Sequence, residues 1–437
     1  MKESRCKLGL CARLLCSVGS AGGLLAVQQA VRQTGPDWHE DLIMPPLRET
    51  GIARGAACKT QKIADITLIA LFLLAIYLPM ADTFFGLDQS SAPVEKRRLA
   101  EKPKLSWCWD AIDGYPKRFE AYFNDYFGFR NELVHWYNSL KVAWLGTVSS
   151  PKVMEGKEGW LFYTGDRVIE HCCRATVPFS ERQLASWQQI LEKRQDWLAQ
   201  SGIRFLLVIV PNKHTVYAEY LPNWIVRVGE KTRLDQFVEY MREHSKVEFL
   251  DLRDALLEAK KGRWIYYRAD SHWNSAGAFV GYQEIMSRLS KWFPAAKPLS
   301  ESDFIYRPST RSKLDLAILL GQYGSIKEET LVMSPKRERL AHRVGPGVLL
   351  TTGQWERREK PMVYECRKGQ ISRAVMFHDS MVVGLIPFLS EHFARIVYIW
   401  QDHLDAEIVE FERPNLVIQE VTERLLTKTQ TLTNQMK

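Results

Sequence analysis

Five short, nearly continuous apolar runs constrain the fold of this chain more than any other sequence feature. They occupy residues 204–211, 247–252, 374–380, 395–400 and 415–421. Strands of a parallel sheet are nearly continuous apolar runs because helices cover both faces of the sheet. Helical segments separate the runs, and the clearest of them begins with a capping box of Ser180 and Gln183 and continues to about residue 200. The pattern therefore predicts an α/β domain with a mainly parallel sheet and helices on both faces.

One long apolar segment precedes these runs. Residues 63–81 are apolar apart from Asp65 and Thr67, and the segment is just long enough to cross a bilayer. Basic residues lie close to its N-terminal side only, at Arg54, Lys59 and Lys62. This charge bias predicts one transmembrane helix, an uncleaved signal anchor with its N-terminus in the cytoplasm and the rest of the chain exported. A buried core helix is the alternative interpretation.

The segment pattern also predicts the domain boundaries. Residues 1–62 are interpreted as a cytoplasmic leader, with Met44 as a hypothetical true start, and residues 63–81 as the anchor. A polar, proline-containing linker follows at 82–104, and a single domain fills 105–437. Within that domain the periodicity weakens between 314 and 369, which indicates an irregular insertion or lid, with small hairpins of its own as one option.

Charge and cysteine spacing argue against several classes of protein. The net charge of +8 comes from basic residues scattered along the chain, with no nucleic-acid-binding motif, so no nucleic-acid partner is expected. The eight cysteines, and the histidines and acids, do not show the spacing of a metal site. We therefore expect neither a metal nor another cofactor.

Polar residues that follow the apolar runs are the best candidates for chemistry. Ser380 ends the run at 374–380, at the carboxyl edge of the predicted sheet, where a turn exposes a side chain. A serine nucleophile needs a base, and an imidazole held by a carboxylate is the usual one. Asp270 and His272 supply both groups, directly before a helix that Asn274 is placed to cap. The alternatives are that Ser380 is only a helix cap and His272 only a structural histidine.

Several ordered sequence blocks resemble the AlgJ/AlgX group of SGNH-hydrolase-like proteins, which act in the O-acetylation of bacterial exopolysaccharides such as alginate. The blocks lie at residues 123–133, 153–163, 208–222, 268–279, 376–400 and 415–426. The resemblance implies that Asp270 is the acid, His272 the base and Ser380 the nucleophile. It also implies an SGNH-hydrolase-like, flavodoxin-like fold with a permuted motif order, since the serine block comes last. His378 stands where ordinary SGNH hydrolases have glycine.

The resemblance implies a function as well as a fold. We expect a membrane-anchored, exported O-acetyltransferase that modifies exopolysaccharide hydroxyls through an acyl-serine, in the bacterial inner membrane with its catalytic domain in the periplasm. A multipass membrane-bound O-acyltransferase is implied as the acetyl donor. Lys213, after the run at 204–211, and Trp273 are candidate substrate-binding residues, with structural roles as the alternative. The competing functions are a polysaccharide acetylesterase and a non-catalytic polysaccharide-binding assembly subunit.

Overall fold

A computed structural model of the chain describes residues 51–85, 100–104, 113–145, 150–322, 324–345 and 360–427. The described residues divide into two units, one that ends at Ala75 and one that begins at Ile76. Helix α1, Gly51–Phe85, contains the predicted anchor, and its segment Gln61–Asp82 is long and apolar enough to cross a membrane. Met44 and residues 86–99 of the predicted linker lie outside the described residues.

The remaining described chain is divided among short helices and strands. The helices are α2 Tyr115–Asp125, α3 Arg130–Leu145, α4 Glu181–Gln200, α5 Lys213–Val216, α6 Arg233–His244, α7 Arg253–Ala259, α8 Ser275–Leu289, α9 Asp315–Leu319, α10 Ile386–Leu389 and α11 Ala406–Glu412. The strands are β1 Val153–Glu155, β2 Leu161–Tyr163, β3 Arg204–Val210, β4 Phe249–Asp251, β5 Phe304–Arg311, β6 Glu328–Pro335, β7 His342–Val344, β8 Met362–Glu365, β9 Ile371–His378, β10 Phe393–Trp400 and β11 Leu416–Thr422. One 3₁₀ helix, Ser380–Gly384, begins after the single residue Asp379 that follows β9. Another, Glu423–Thr427, directly follows β11.

A seven-stranded sheet organises the larger unit. Its strand order is β4-β3-β11-β9-β10-β8-β7. The first five strands are parallel, whereas β8 and β7 are antiparallel to their neighbours. Two small antiparallel sheets, β1-β2 and β5-β6, complete the described strands. The carboxyl ends of β3, β4, β9 and β11 therefore meet at one edge of the sheet.

Side chains alternate between two hydrophobic layers because successive residues of a strand point to opposite faces. Along β3, Leu206 and Val208 belong to the layer that contains α8, whereas Leu207 and Ile209 belong to the layer that contains α4 and α6. Burial on both faces explains why these strands are nearly continuous apolar runs in sequence. The predicted mainly parallel sheet with helices on both faces is thus confirmed.

Most predicted elements coincide with observed ones, but the insertion does not. The capping box at Ser180 and Gln183 forms, and Asn274 caps α8 by accepting hydrogen bonds from the backbone N–H groups of Ala276 and Gly277. Residues 314–369 were predicted to be irregular, yet their described part contains α9, β6, β7 and β8. Strands β7 and β8 extend the main sheet, so this segment is part of the domain framework.

Candidate active site

The structure brings Asp270, His272 and Ser380 into one hydrogen-bonded chain. The Oγ of Ser380 lies 2.7 Å from Nε2 of His272, and Nδ1 of His272 lies 2.6 Å from Oδ1 of Asp270. An ionised carboxylate only accepts, so Nδ1 carries the ring proton and Nε2 is left to accept from the serine hydroxyl. This tautomer is the one in which a histidine acts as a base toward serine.

The serine is positioned by the end of β9 and by its preceding residue. Asp379 accepts a hydrogen bond from the N–H of Met381 (2.9 Å), which caps the 3₁₀ helix Ser380–Gly384. Its other oxygen accepts hydrogen bonds from the N–H (2.9 Å) and hydroxyl of Thr422, at the end of β11. Asp379 therefore connects the turn that carries Ser380 to strands β9 and β11. Because the N–H of Met381 is already used, the N–H of Ser380, the first of that helix, is the simplest donor for an oxyanion.

Asp270 is buried, 1% exposed, and well supplied with partners. Its Oδ1 also accepts a hydrogen bond from the N–H of His272 (3.0 Å), while its Oδ2 accepts one from the N–H of Asp315 (3.1 Å). The guanidinium of Arg311 lies 3.6 Å from the same Oδ2. Burial favours the protonated acid, but the hydrogen bond to His272 and the nearby positive charges hold the pKa of Asp270 well below its usual range.

A second carboxylate, Asp315, adjoins the imidazole. Its Oδ2 lies 3.6 Å from Nδ1 of His272, and it accepts hydrogen bonds from both the N–H (2.7 Å) and the hydroxyl of Ser271. Burial and the charge of Asp270 raise the pKa of Asp315. Burial lowers the pKa of His272, but the hydrogen bond and charge of Asp270, with the charge of Asp315, raise it above its ordinary value. The sequence reasoning missed Asp315 because it lies within the segment interpreted as irregular.

Lys213 lies beneath the loop that carries the acid and base, not in an open pocket. It is 2% exposed, and its Nζ donates to the backbone carbonyls of Tyr267 (3.1 Å), Arg268 (2.9 Å) and Asp270 (2.8 Å). Burial lowers its pKa to about 7. All three ammonium protons are therefore directed at the loop backbone, which corrects the expectation that Lys213 contacts substrate.

Trp273 is also enclosed by protein. It is 3% exposed, and its indole N–H donates to the backbone carbonyl of Met381 (3.0 Å). The ring packs against Gly281 and Gly384, where an added Cβ would lie 3.0 and 2.9 Å from it. A sugar has no access to its faces, so the expected substrate contact is corrected. Instead, Trp273 connects the loop that carries His272 to the turn that carries Ser380.

Arg424 is a second residue whose place near the site was not predicted. It follows β11, and its positive charge lies close enough to His272 to lower the pKa of that imidazole. Its guanidinium also lies 5.9 Å from the ring centre of Tyr163. Ser380 was identified because it is a polar residue that follows a buried strand. The same criterion identifies Arg424, which follows β11. Its neighbour Glu423 is buried and accepts hydrogen bonds from the N–H of Asn212 (2.8 Å) and the hydroxyl of Thr215 (2.6 Å).

The donor atoms of Asp270, His272 and Asp315 lie within 4.8 Å of one another, the spacing that a metal ion would need. Each of these groups is already engaged: Asp270 with His272, and Asp315 with Ser271. A cation bound to Nδ1 of His272 would displace the proton that holds the imidazole toward Asp270. The three side chains therefore form a hydrogen-bonded network at this position.

Comparison with known proteins agrees with the resemblance inferred from the sequence. Residues 153–344 match the family model of the SGNH hydrolase-like domain of acetyltransferase AlgX. The probable alginate O-acetylase AlgJ of Pseudomonas putida is 28% identical over 141 residues, which cover 32% of this chain and 34% of that protein. Its Pseudomonas aeruginosa counterpart is 23% identical over 171 residues, covering 39% and 41% respectively. The chain thus spans less than half the length of these curated relatives. The predicted AlgJ/AlgX-like, SGNH-like character is confirmed.

Solved structures give more distant likenesses. Bacillus cereus PatB1 superposes with a TM-score of 0.47 at 16% identity, over 63% of this chain and 96% of that one. The O-acetyltransferase domain of Pseudomonas putida AlgJ gives a TM-score of 0.43 at 20% identity, over 64% and 93% respectively. At these scores the likenesses do not bear on activity.

Proposed function

We propose that this AlgJ/AlgX-like chain is a membrane-anchored O-acetyltransferase that transfers acetyl groups to hydroxyls of an exopolysaccharide. The hydrogen-bonded chain from Ser380 through His272 to Asp270, at the carboxyl edge of the sheet, is the observation that carries the proposal. Similarity to alginate O-acetylases supports exopolysaccharide O-acetylation. The apolar segment of α1 supports anchoring, and the basic residues before that segment support a catalytic domain in the periplasm.

Each residue of the hydrogen-bonded chain has a defined role in the proposed reaction. The Oγ of Ser380 attacks the carbonyl carbon of the acetyl donor while Nε2 of His272 takes its proton, and the N–H of Ser380 stabilises the oxyanion. The oxyanion collapses, the donor's leaving group departs with the proton from His272, and an acetyl-serine remains. A sugar hydroxyl then attacks that ester, gives its proton to His272, and the serine oxygen leaves and recovers the proton. Asp270 holds the imidazole and stabilises its charged form.

The acetyl group needs a route across the membrane. Cytoplasmic acetyl-CoA does not reach an exported domain, so a multipass membrane-bound O-acyltransferase is proposed as the donor. The site itself is compatible with such a donor because Ser380 and His272 are only partly buried.

The test is acetyl transfer from a chromogenic acetyl ester to an oligosaccharide, using the full-length chain in detergent or membranes. Ser380→Ala is expected to reduce the transfer rate by about three orders of magnitude, because the nucleophile and its acyl intermediate are lost. Ser201→Ala, at the exposed C-terminal end of α4, is the matched control and should keep normal transfer. Undiminished transfer by Ser380→Ala would eliminate the proposal.

The same assay separates the alternatives. An acetylesterase would consume the ester at an unchanged rate as oligosaccharide is added, and would release only acetate. A non-catalytic assembly subunit would give no Ser380-dependent turnover. The proposed transferase should instead form acetylated oligosaccharide in proportion to acceptor concentration.

A further inference from the structure

Helix α2 carries a row of aromatic side chains on an open surface. Tyr115, Phe119 and Phe123 follow one another at intervals of four residues, so they lie on one face of the helix, and Phe127 repeats the interval in the turn after it. Their successive ring centres are 6.0, 6.3 and 5.5 Å apart. No side chain of α2 is buried, and Phe119 is 47% exposed. A contiguous exposed row of this kind marks an interaction surface, whereas scattered single apolar residues do not.

Helix α3 also exposes large aromatic and aliphatic side chains. Trp136 is 72% exposed, and Tyr137, Leu133 and Leu140 are exposed beside it in sequence. The ammonium of Lys141 lies 4.4 Å from the ring centre of Tyr137. Two consecutive helices thus present large aromatic groups to the surroundings. We call residues 115–145 the juxtamembrane helices.

The turn between these helices packs against the C-terminal end of the apolar segment of α1. Gly128, in that turn, is buried, and a Cβ added to it would lie 2.3 Å from the backbone oxygen of Pro79 and 2.8 Å from Cβ of Asp82. Only glycine permits so close an approach. Asp82 is the last residue of the segment that is long enough to cross a membrane, and Pro79 lies in its last turn. The turn is therefore held at the level where that segment would leave the bilayer.

Composition indicates what this surface contacts. Tyrosine and tryptophan concentrate where a bilayer meets water, because their rings are apolar and their tips are polar. The charges of the two helices nearly cancel: Lys117, Arg118, Arg130 and Lys141 against Glu120, Asp125 and Glu132. Attraction to anionic headgroups is thus not required, and insertion of aromatic rings can bind a neutral bilayer.

We propose that the juxtamembrane helices lie in the interfacial layer of the exported leaflet and hold the catalytic domain against the membrane surface. The partner is the phospholipid bilayer, with apolar rings among the upper acyl chains. The proposal rests on the proposed membrane anchoring. It would keep the acetyl-accepting serine at a fixed height above any membrane-embedded donor.

Site-specific photo-crosslinking tests this contact. Benzoylphenylalanine replaces Trp136 in the full-length chain, which is reconstituted into phosphatidylcholine vesicles and irradiated, and mass spectrometry then detects lipid adducts. Trp224, 67% exposed on another part of the chain, is the matched control. We expect at least roughly tenfold more lipid adduct at position 136 than at position 224.

Two outcomes would overturn the proposal, and two controls separate it from the proposed anchoring and chemistry. Equal lipid labelling at the two positions overturns the proposal, as does a crosslink from position 136 to a second copy in place of lipid. Flotation of the vesicles reports anchoring separately, so a failure of α1 to insert is distinguished from a failure of the helices to touch lipid. Adding Ser380→Ala should leave the labelling unchanged, which separates this contact from the proposed chemistry.

Discussion

Two carboxylates adjoin Nδ1 of His272, and the second one, Asp315, contributes to the protonation of the imidazole after Asp270. The charge of Asp315 helps to raise the pKa of His272. A general base must be neutral to accept a proton, so activity is lost as the pH falls through that raised pKa. Asp315→Asn removes the charge but keeps an amide oxygen for Ser271. The pKa of His272 should fall, and the acid limb of kcat/KM against pH should move to lower pH.

A pH profile of ester turnover measures this shift. Asp196→Asn, on the exposed side of α4, removes an equal charge far from the site and should leave the profile unchanged. An acid limb that stays in place, or moves to higher pH, in Asp315→Asn would show that Asp315 does not act on His272 through its charge.

The hydrogen bonds of Lys213 lead to a second prediction for a single residue. Lys213→Met keeps the length and apolar stem but leaves three loop carbonyls without their donor. We expect kcat to fall by about ten- to a hundredfold with KM little changed, because the acid and base lose their alignment. The free energy of unfolding should fall on the order of 3 kcal/mol.

Lys213→Arg tests whether donated hydrogen bonds, rather than size, are what matters. It retains a charged donor and should recover part of the lost kcat. If Lys213→Met raised KM and left kcat intact, the residue would bind substrate, as the sequence first indicated.

At the scale of elements, the strands were predictable and the inserted region was not. Each apolar run became a strand within three residues of its predicted limits, because burial on both faces leaves a continuous apolar signature. The position of Ser380 was predictable for the same reason. A residue that follows a parallel strand must lie at the carboxyl edge of the sheet. The helix α9, which carries Asp315, was not predictable, because a five-residue helix has too few turns to show a helical hydrophobic period. Asp315 enters the site through tertiary packing alone.

The nucleophile turn depends on a glycine that lets two elements approach. An alanine Cβ at Gly384 would lie 2.9 Å from Nε1 of Trp273 and 2.9 Å from Cβ of Ala278. Gly384→Ala should therefore push the 3₁₀ helix Ser380–Gly384 away from α8 and weaken the bond from Trp273 to Met381. We expect a loss of about 1–3 kcal/mol in unfolding free energy, with a fall in kcat.

Chemical denaturation and steady-state kinetics on the same preparation measure both effects. Gly345→Ala is the matched control, since among the described residues beyond its chain neighbours no atom lies within 4 Å of its added Cβ. Normal stability and kcat in Gly384→Ala would show that this contact does not position the serine.

At the scale of the whole molecule, the proposed chemistry requires the catalytic domain to face the polymer. Orientation depends on where basic residues flank the apolar segment, and here they precede it. Alkaline phosphatase folds only where its disulfides form, so a fusion after residue 437 reports the side on which the domain lies. We expect an active fusion from the natural chain.

Reversing the charge bias should reverse that result. Changing Arg54, Lys59 and Lys62 to asparagine and inserting three lysines after residue 85 moves the positive charge to the other side of the segment. Phosphatase activity should fall by roughly tenfold or more, because the basic flank stays in the cytoplasm. A fusion to a fluorescent protein that folds only in the cytoplasm should gain signal in parallel. If both reporters kept their original values, the proposed export could not be attributed to this flank, and the proposed periplasmic position of the domain would need another cause.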